Sequence, residues 1–195
     1  LVGIEGIEPS SRIEILPYVA GDGSFTDQYH RANPYRDGSD WNSRFGGDLK
    51  MGLGSNLTLD ATFNPDFGQV EADPAEVNLS AYETFFSERR PFFTEGSQLF
   101  ETSGPTYFYS RRIGASPHGS ASGDFVDMPQ NATILGAAKV SGRMQSGLSV
   151  AGLLALTDEE FASVTDTAYL DSDLGAIVPA QRSEVRVEPR TAYGV

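Results

Sequence analysis

The chain has 195 residues, a formal net charge of −13 and no cysteine. The acidic balance argues against nucleic acid as a partner, because phosphate binding needs clustered lysine and arginine side chains. The lack of cysteine excludes a disulfide framework and thiolate chemistry, and the sequence has no apolar run near the roughly 18–20 residues of a membrane-spanning helix. The length suits one domain, and 21 glycines with 39% hydrophobic residues favour turns and strands over helices.

The N-terminal part predicts a strand at a sheet edge. Residues 11–20 alternate, with Ile13, Ile15 and Val19 on one face. Pro17 interrupts the backbone hydrogen bonding of this run, so we expect an edge strand or a strand end. Residues 21–42 are rich in turn-forming residues and predict a long loop or a hairpin tip.

Residues 44–64 contain the clearest pattern of the chain. Residues 44–53 and 55–64 each alternate apolar residues or glycine with polar residues, and Gly54 and Ser55 predict a two-residue turn between them. Strands of soluble sandwiches are usually nearer five or six residues. Each of these runs is about ten residues long, which is the length that crosses a bilayer in a β-barrel.

The C-terminal half predicts further strands separated by polar loops. A second hairpin is expected from residues 133–141 and 147–156, and residues 106–113 predict a separate strand. Residues 158–182 read as a polar, acidic loop. Short turns at one end of the hairpins and long loops at the other are typical of outer-membrane barrels.

Residues 64–100 follow no simple period, because carboxylates and aromatic rings alternate too closely to be sorted onto two faces. One interpretation is a structured insertion whose rings fill a core and whose acidic residues are solvated. The other is an element folded inside or against a sheet, where it lines a polar interior. Charged residues are seldom buried unless they are paired, so both interpretations stay open.

Two arginine pairs, Arg89–Arg90 within this stretch and Arg111–Arg112 after it, suggest how it is held. If the stretch folds inside a polar lumen, we expect their guanidinium groups to pair with Glu83, Glu88 or Glu95 and to fix it there. Charge reversal at Arg89 or Arg90 is then expected to release the segment. The alternative is that the arginines are solvated charges at strand ends. The candidate binding residues are Glu71, Asp73, Glu76, Glu88, Arg89, Arg90, Arg111 and Arg112.

Other chemistry has less support in the sequence. The two histidines, His30 and His118, lie in stretches that predict polar loops, and we predict no catalytic residue. Binding without catalysis is the preferred interpretation. Glycoside hydrolysis is the enzymatic alternative, with its two carboxylates drawn from Glu71, Asp73, Glu76, Glu83, Glu88 and Glu95. No cofactor is expected, with calcium as the alternative, since one acidic run offers oxygen ligands without the EF-hand spacing. That run consists of Asp66, Glu71, Asp73 and Glu76.

Several segments resemble an uncharacterised family in order and spacing. The most specific are NPDFGQVEADPAEVNLSAYETFFSERRPFFTEG (64–96) and FYSRRIG (108–114), and the others are residues 1–6, 12–18 and 47–50. The family is a domain of unknown function in envelope proteins of Gram-negative bacteria, where it follows a carbohydrate-binding domain similar to family 9. The resemblance implies a membrane β-barrel, an outer-membrane location and a sugar-binding module upstream, and it carries over no catalytic residue.

These observations predict an all-β fold, an antiparallel sheet of long strands that forms part of an outer-membrane β-barrel. We expect residues 1–195 to be a single domain and a fragment of a larger barrel domain, with residues 64–100 as a plug-like segment in its lumen. The predicted lipid-facing residues are Phe45, Leu49, Met51, Leu53, Leu57, Leu59, Ala61, Phe63, Ile134, Val140, Val150 and Leu154. The predicted inward residues are Asp48, Lys50, Asn56, Thr58, Asp60, Thr62 and Lys139.

The function predicted from this architecture is binding or transport at the outer membrane. The expected partners are outer-membrane lipid, glycans and other envelope subunits, and not nucleic acid. One alternative is a soluble, secreted β-domain that hydrolyses polysaccharide. Another is a structural subunit of an envelope complex, whose edge strands a neighbouring chain would cover.

Overall fold

The structure, a computed structural model, describes residues 12–27, 32–36, 38–65, 86–100, 107–171 and 176–195. These residues form an all-β protein, as the sequence predicts. Helical structure in the described part is limited to one turn of α-helix, α1 (Pro91–Thr94), and to 3-10 turns at Ser97–Leu99 and Ser110–Arg112. The strands are β1 (Ile13–Phe25), β2 (Ser39–Leu53), β3 (Leu57–Phe63), β4 (Phe125–Asp127), β5 (Ile134–Arg143), β6 (Ser149–Thr157), β7 (Glu160–Asp166), β8 (Tyr169–Asp171), β9 (Ala176–Val178), β10 (Gln181–Glu188) and β11 (Thr191–Gly194).

The largest sheet has six strands in the order β1-β2-β3-β5-β6-β11, and all neighbours are antiparallel. A second sheet has the order β10-β7-β4, and β8 pairs with β9. In the part of the chain that the structure describes, the six-stranded sheet is open, with β1 and β11 at its edges, and no closed barrel is seen.

The β1–β2 hairpin is longer than its composition suggests. Pro17 of β1 lies opposite Gly47 of β2. β1 is an edge strand of the sheet, as predicted. Of the two alternatives for residues 21–42, the hairpin is confirmed and the long loop is wrong. The strands extend further into this range than expected, because the pairing continues as far as Phe25 opposite Ser39. Backbone pairing between the two strands therefore outweighs the preference of these residues for turns. The Phe25 and Trp41 rings contribute an edge-on contact, with centroids 5.5 Å apart.

The β2–β3 hairpin joins the two predicted strands, but its turn is longer by one residue and its register shifts accordingly. Leu53 lies opposite Leu57, so three residues, and not two, connect the strands. Gly54 has a φ of +67°, a left-handed conformation that glycine adopts without a steric penalty. Asn56 belongs to this turn and is exposed, so its predicted inward position is wrong; its side-chain amide donates to the Arg143 carbonyl at 2.9 Å.

The second predicted hairpin is confirmed, with Arg143 opposite Ser149 at its turn end. A register irregularity between Ile134 and Gly136 changes which face the first residue of β5 takes. Ile134 was therefore predicted on the wrong face, and its side chain is buried in the core.

Two stretches differ in type from the prediction. Residues 107–113 do not form a strand, since residues 110–112 make a 3-10 turn whose neighbouring carbonyls accept hydrogen bonds from Arg90. The expected loop over residues 158–182 contains β7, whose alternating Ala162 and Val164 are buried in the second sheet. The acidic residues around this short alternation obscured it.

The hydrophobic core lies on one side of the six-stranded sheet, beneath residues 86–100 and 107–113. Its buried members are Phe93, Ile113, Ile134, Ala137, Leu153 and Ala155, flanked by Phe92, Phe100, Phe108 and Tyr193. Ala137 and Ala155 are paired in register and therefore share this covered face with the polar side chains of β2 and β3. The segment that contains α1 thus packs on the polar face of the sheet.

Candidate functional site

A row of alternating charges crosses four neighbouring strands on the covered face. Glu14 of β1 lies opposite Lys50 of β2, Lys50 opposite Asp60 of β3, and Asp60 opposite Lys139 of β5. Opposite charges in directly paired positions stabilise a sheet. The strand register therefore builds a charge ladder, a name kept below for these four residues.

Lys139 is the most deeply buried member of the ladder, at 1% exposure. Its ammonium group donates to the carbonyl oxygens of Phe92 at 2.7 Å and of Glu95 at 2.5 Å, and it lies 3.9 Å from the Asp60 carboxylate. It also lies 4.9 Å from the centre of the Phe92 ring. One lysine of the sheet thus holds both ends of the turn formed by α1.

Lys50 provides a second contact with the same turn. Its ammonium group forms an ion pair with the Glu95 carboxylate and lies 3.7 Å from Asp60. The hydrogen bond from Lys50 lowers the pKa of the Glu95 carboxyl. These contacts and those of Lys139 hold residues 92–95 against the polar face of the sheet.

A second polar cluster lies around Arg90, which is 8% exposed. Its guanidinium donates to both carboxylate oxygens of Glu88, at 2.8 and 2.7 Å. It also donates to the backbone carbonyls of Ile113 at 2.6 Å and Ser110 at 2.8 Å, and its central carbon lies 4.3 Å from the centre of the Phe93 ring. A bidentate arginine–carboxylate pair of this kind is strong and fixes the relative orientation of the two groups. Arg90 therefore ties residues 86–93 to the 3-10 turn at Ser110–Arg112.

The structure brings some of the predicted site residues together. The expected pairing of an arginine with Glu88 is present, made by Arg90. Arg111 donates to the Ser87 carbonyl at 3.0 Å, whereas the Arg112 carbonyl accepts from the Tyr193 hydroxyl at 3.3 Å. The Arg89 side chain is exposed. A binding role for these residues stays a prediction.

The remaining predicted site residues lie outside the described residues. These are Glu71, Asp73 and Glu76, together with Asp66 of the calcium alternative. Within the described ranges, no three histidine or acidic side chains are grouped closely enough to hold a metal ion. The calcium site therefore stays an alternative predicted from the sequence.

Sequence reasoning placed Lys50, Asp60 and Lys139 on the inward face but did not include them in the site. The signal that could have identified them is that each is a charged residue on the polar face of an alternating run. The row itself depends on the three-residue turn between β2 and β3 and on the pairing of β3 with β5, which the alternation does not specify. Their contacts with residues 92–95 could not be read from spacing, since nothing in an alternating strand shows what covers its polar face.

Glu88 predicts an acid-dependent step in stability. Burial alone would raise its pKa, but the hydrogen bonds and charge of Arg90 and a hydrogen bond from Ser110 together hold the pKa below its ordinary value of 4.5. A carboxylate with a lowered pKa stabilises the fold above its unfolded pKa, and this stabilisation is lost as pH falls through the folded value. We expect the free energy of unfolding to fall below about pH 4.5, and to fall less steeply in Glu88→Gln, when measured by urea unfolding across a pH series.

The matched control for this experiment is Glu184→Gln, which removes an exposed carboxylate from β10. It corrects for the loss of one negative charge from an acidic chain. A pH dependence that is equally steep in Glu88→Gln and in the unmodified chain would contradict the role assigned to Glu88.

No helix among the described residues is long and apolar enough to cross a membrane. Comparison with curated proteins finds no match, and comparison with solved structures finds none either. The profile of one domain of unknown function, DUF5916, matches residues 9–195, which is nearly the whole chain. The chain therefore belongs to the DUF5916 family.

Proposed function

We propose that the six-stranded sheet is part of the wall of an outer-membrane β-barrel that binds or transports a polar ligand. The observation that supports this most is the distribution of side chains on the two faces. The apolar face is exposed, with Val19 at 83%, Ile15 at 72% and Leu154 at 69%, while Lys139 on the opposite face is at 1%. A water-soluble sheet has the reverse preference, whereas a barrel wall in lipid has apolar residues outside and polar residues inside.

The exposed face is apolar across five adjacent strands. Paired residues share a face, so each row of the sheet can be read from the register. One row consists of Ile13, Met51, Leu59, Val140 and Gly152, and the next consists of Ile15, Leu49, Ala61, Ala138 and Leu154. A contiguous apolar surface of this kind marks contact with lipid or with another apolar surface.

Strand length and aromatic placement support lipid as that contact. β2, β5 and β6 have 15, 10 and 9 residues, which reach the roughly 9–11 residues that cross a bilayer. Aromatic residues lie toward one end of the apolar face, where Phe45 and Phe63 have ring centres 6.4 Å apart. Trp41 and Phe25 lie further along the same hairpin. Aromatic residues concentrate at membrane–water boundaries.

The proposed ligand is a glycan, and the support is the family resemblance. That resemblance implies a domain that follows a carbohydrate-binding domain in Gram-negative envelope proteins, and the covered face of this sheet is polar. Residues 86–100 pack on that face, so passage of a solute along it would require the segment to move. The edge strand β1 has one neighbour in the described sheet, and further barrel strands or an envelope subunit would cover its other side.

Depth-dependent fluorescence quenching tests the membrane proposal. We expect lipids with brominated acyl chains to quench a tryptophan at position 154 strongly and one at position 58 weakly, because the two side chains lie on opposite faces. The variants are Leu154→Trp and Thr58→Trp, each with Trp41→Phe to remove the chain's one native tryptophan. Absence of quenching at both positions in reconstituted vesicles would contradict the proposal and favour a soluble β-domain.

A further inference from the structure

A cavity of about 330 Å³ opens on the polar face of the sheet, beside the charge ladder. Its lining residues are Arg12, Glu14, Lys50, Gly52 and Thr58. This volume is at the lower end of the range of roughly 300–1,000 Å³ for small-molecule sites. The lining is charged and hydroxylic, so it suits a polar ligand, since an apolar one would leave these groups without partners.

The cavity exists because position 52 has no side chain. Gly52 lies opposite Thr58 in the register, so a side chain there would point toward the polar face. A Cβ atom at this position would have its nearest contacts at 4.0 Å, with the carbonyl oxygens of Arg12 and Gly54. A larger residue could therefore fill the cavity without disturbing the backbone.

The charges around the cavity favour a ligand with one carboxylate and several hydroxyl groups. Arg12 and Lys50 offer two cationic donors for a carboxylate. Glu14, whose carboxylate accepts from the Arg12 Nε at 2.7 Å, also offers acceptor capacity for hydroxyl groups, and Thr58 can donate or accept. The same carboxylate of Glu14 opposes a compact dianion such as phosphate. These properties together describe an acidic sugar.

We propose that this cavity binds a carboxylate-bearing sugar, a uronate, whose carboxylate competes with Glu95 for Lys50. The inference rests on the proposed binding function and names the ligand class. Lys50 is both a wall of the cavity and one of the two lysines that hold residues 92–95. Ligand binding therefore weakens one of the contacts that keep the segment on the polar face.

Calorimetric titration of the full chain in detergent with D-glucuronate, and with D-glucose as the neutral counterpart, tests the proposal. We expect glucuronate to bind about tenfold more tightly or better, because only glucuronate accepts charge-assisted hydrogen bonds from Arg12 and Lys50. Glu95→Gln is expected to tighten glucuronate binding, since Lys50 loses its competing partner. A purely structural role of Lys50 would not produce that gain.

Gly52→Leu should weaken glucuronate binding by about tenfold or more by filling the cavity. Met51→Leu, on the opposite face, is the matched control and should leave binding unchanged. If Gly52→Leu does not fold, Arg12→Gln at the exposed rim should lower the affinity for glucuronate and not for glucose. Equal affinities for both sugars, no binding of glucuronate, or undiminished binding in the folded Gly52→Leu variant would overturn the proposal. Glucuronate binding without lipid quenching would overturn the membrane role alone.

Discussion

An Arg90→Met variant is expected to lose about 3–5 kcal/mol of stability, because it leaves a buried carboxylate without its partner. Arg90 is 8% exposed and satisfies Glu88 with two hydrogen bonds. The methionine side chain keeps most of the apolar contact with Phe93 but removes the guanidinium. The Glu88 carboxylate then keeps only its neutral donors, which are the Ser110 hydroxyl and the backbone N–H groups of residues 89 and 90. The carbonyls of Ser110 and Ile113 lose the donor that Arg90 provides. Urea unfolding followed by circular dichroism measures the loss. Limited proteolysis should show cleavage within residues 86–100 before cleavage of the hairpins.

The neighbouring residue provides the control for this prediction. Arg89 directly precedes Arg90 and carries the same guanidinium group, but its side chain is exposed. We expect Arg89→Met to change stability by no more than about 0.5 kcal/mol, as is usual for exposed substitutions. Equal effects of the two substitutions, or unchanged protease resistance in Arg90→Met, would contradict the assigned role of Arg90. The sequence predicts that both arginines hold the segment, and the structure separates them by burial.

The hairpins could be predicted from the sequence because alternation determines both the strand and the face. A one-residue change of register would move every side chain to the other face, so residues 44–64 and 133–156 permit one arrangement. The same reasoning fails where the alternation is short. β7 has seven residues among acidic neighbours, and only its buried Ala162 and Val164 show that it pairs. The predicted face of Ile134 is wrong for a different reason. The register irregularity between Ile134 and Gly136 leaves no signal in the alternation of apolar and polar residues.

The candidate site was partly predictable. The pairing of an arginine with Glu88 follows from opposite charges that are close in sequence, and it needs no knowledge of the fold. The contacts of Lys139 with residues 92 and 95 span more than forty positions of the chain. They depend on which segment covers the polar face, and alternation carries no information on that choice.

Replacement of Lys139 by methionine is expected to cost about 3 kcal/mol and to release residues 86–100 from the sheet. Methionine has a similar length and fills the same space, so the loss reports the ammonium group and not a cavity. Without it the carbonyls of Phe92 and Glu95 lose a donor, and Asp60 loses one of its two neighbouring cations. Urea unfolding measures the cost, and hydrogen exchange of residues 92–95 measures the release.

The control is Arg143→Met on the same strand, which removes an exposed cation that donates to the Gly147 carbonyl at 3.1 Å. We expect this substitution to change stability by no more than about 0.5 kcal/mol. A buried ion pair can also cost more in desolvation than its contacts return, and its replacement by an apolar residue then stabilises the fold. A Lys139→Met variant as stable as the unmodified chain, with residues 92–95 equally protected, would show that desolvation wins here. Because Lys139 also donates to the backbone carbonyls of Phe92 and Glu95, we expect the favourable contacts to outweigh the cost of desolvation.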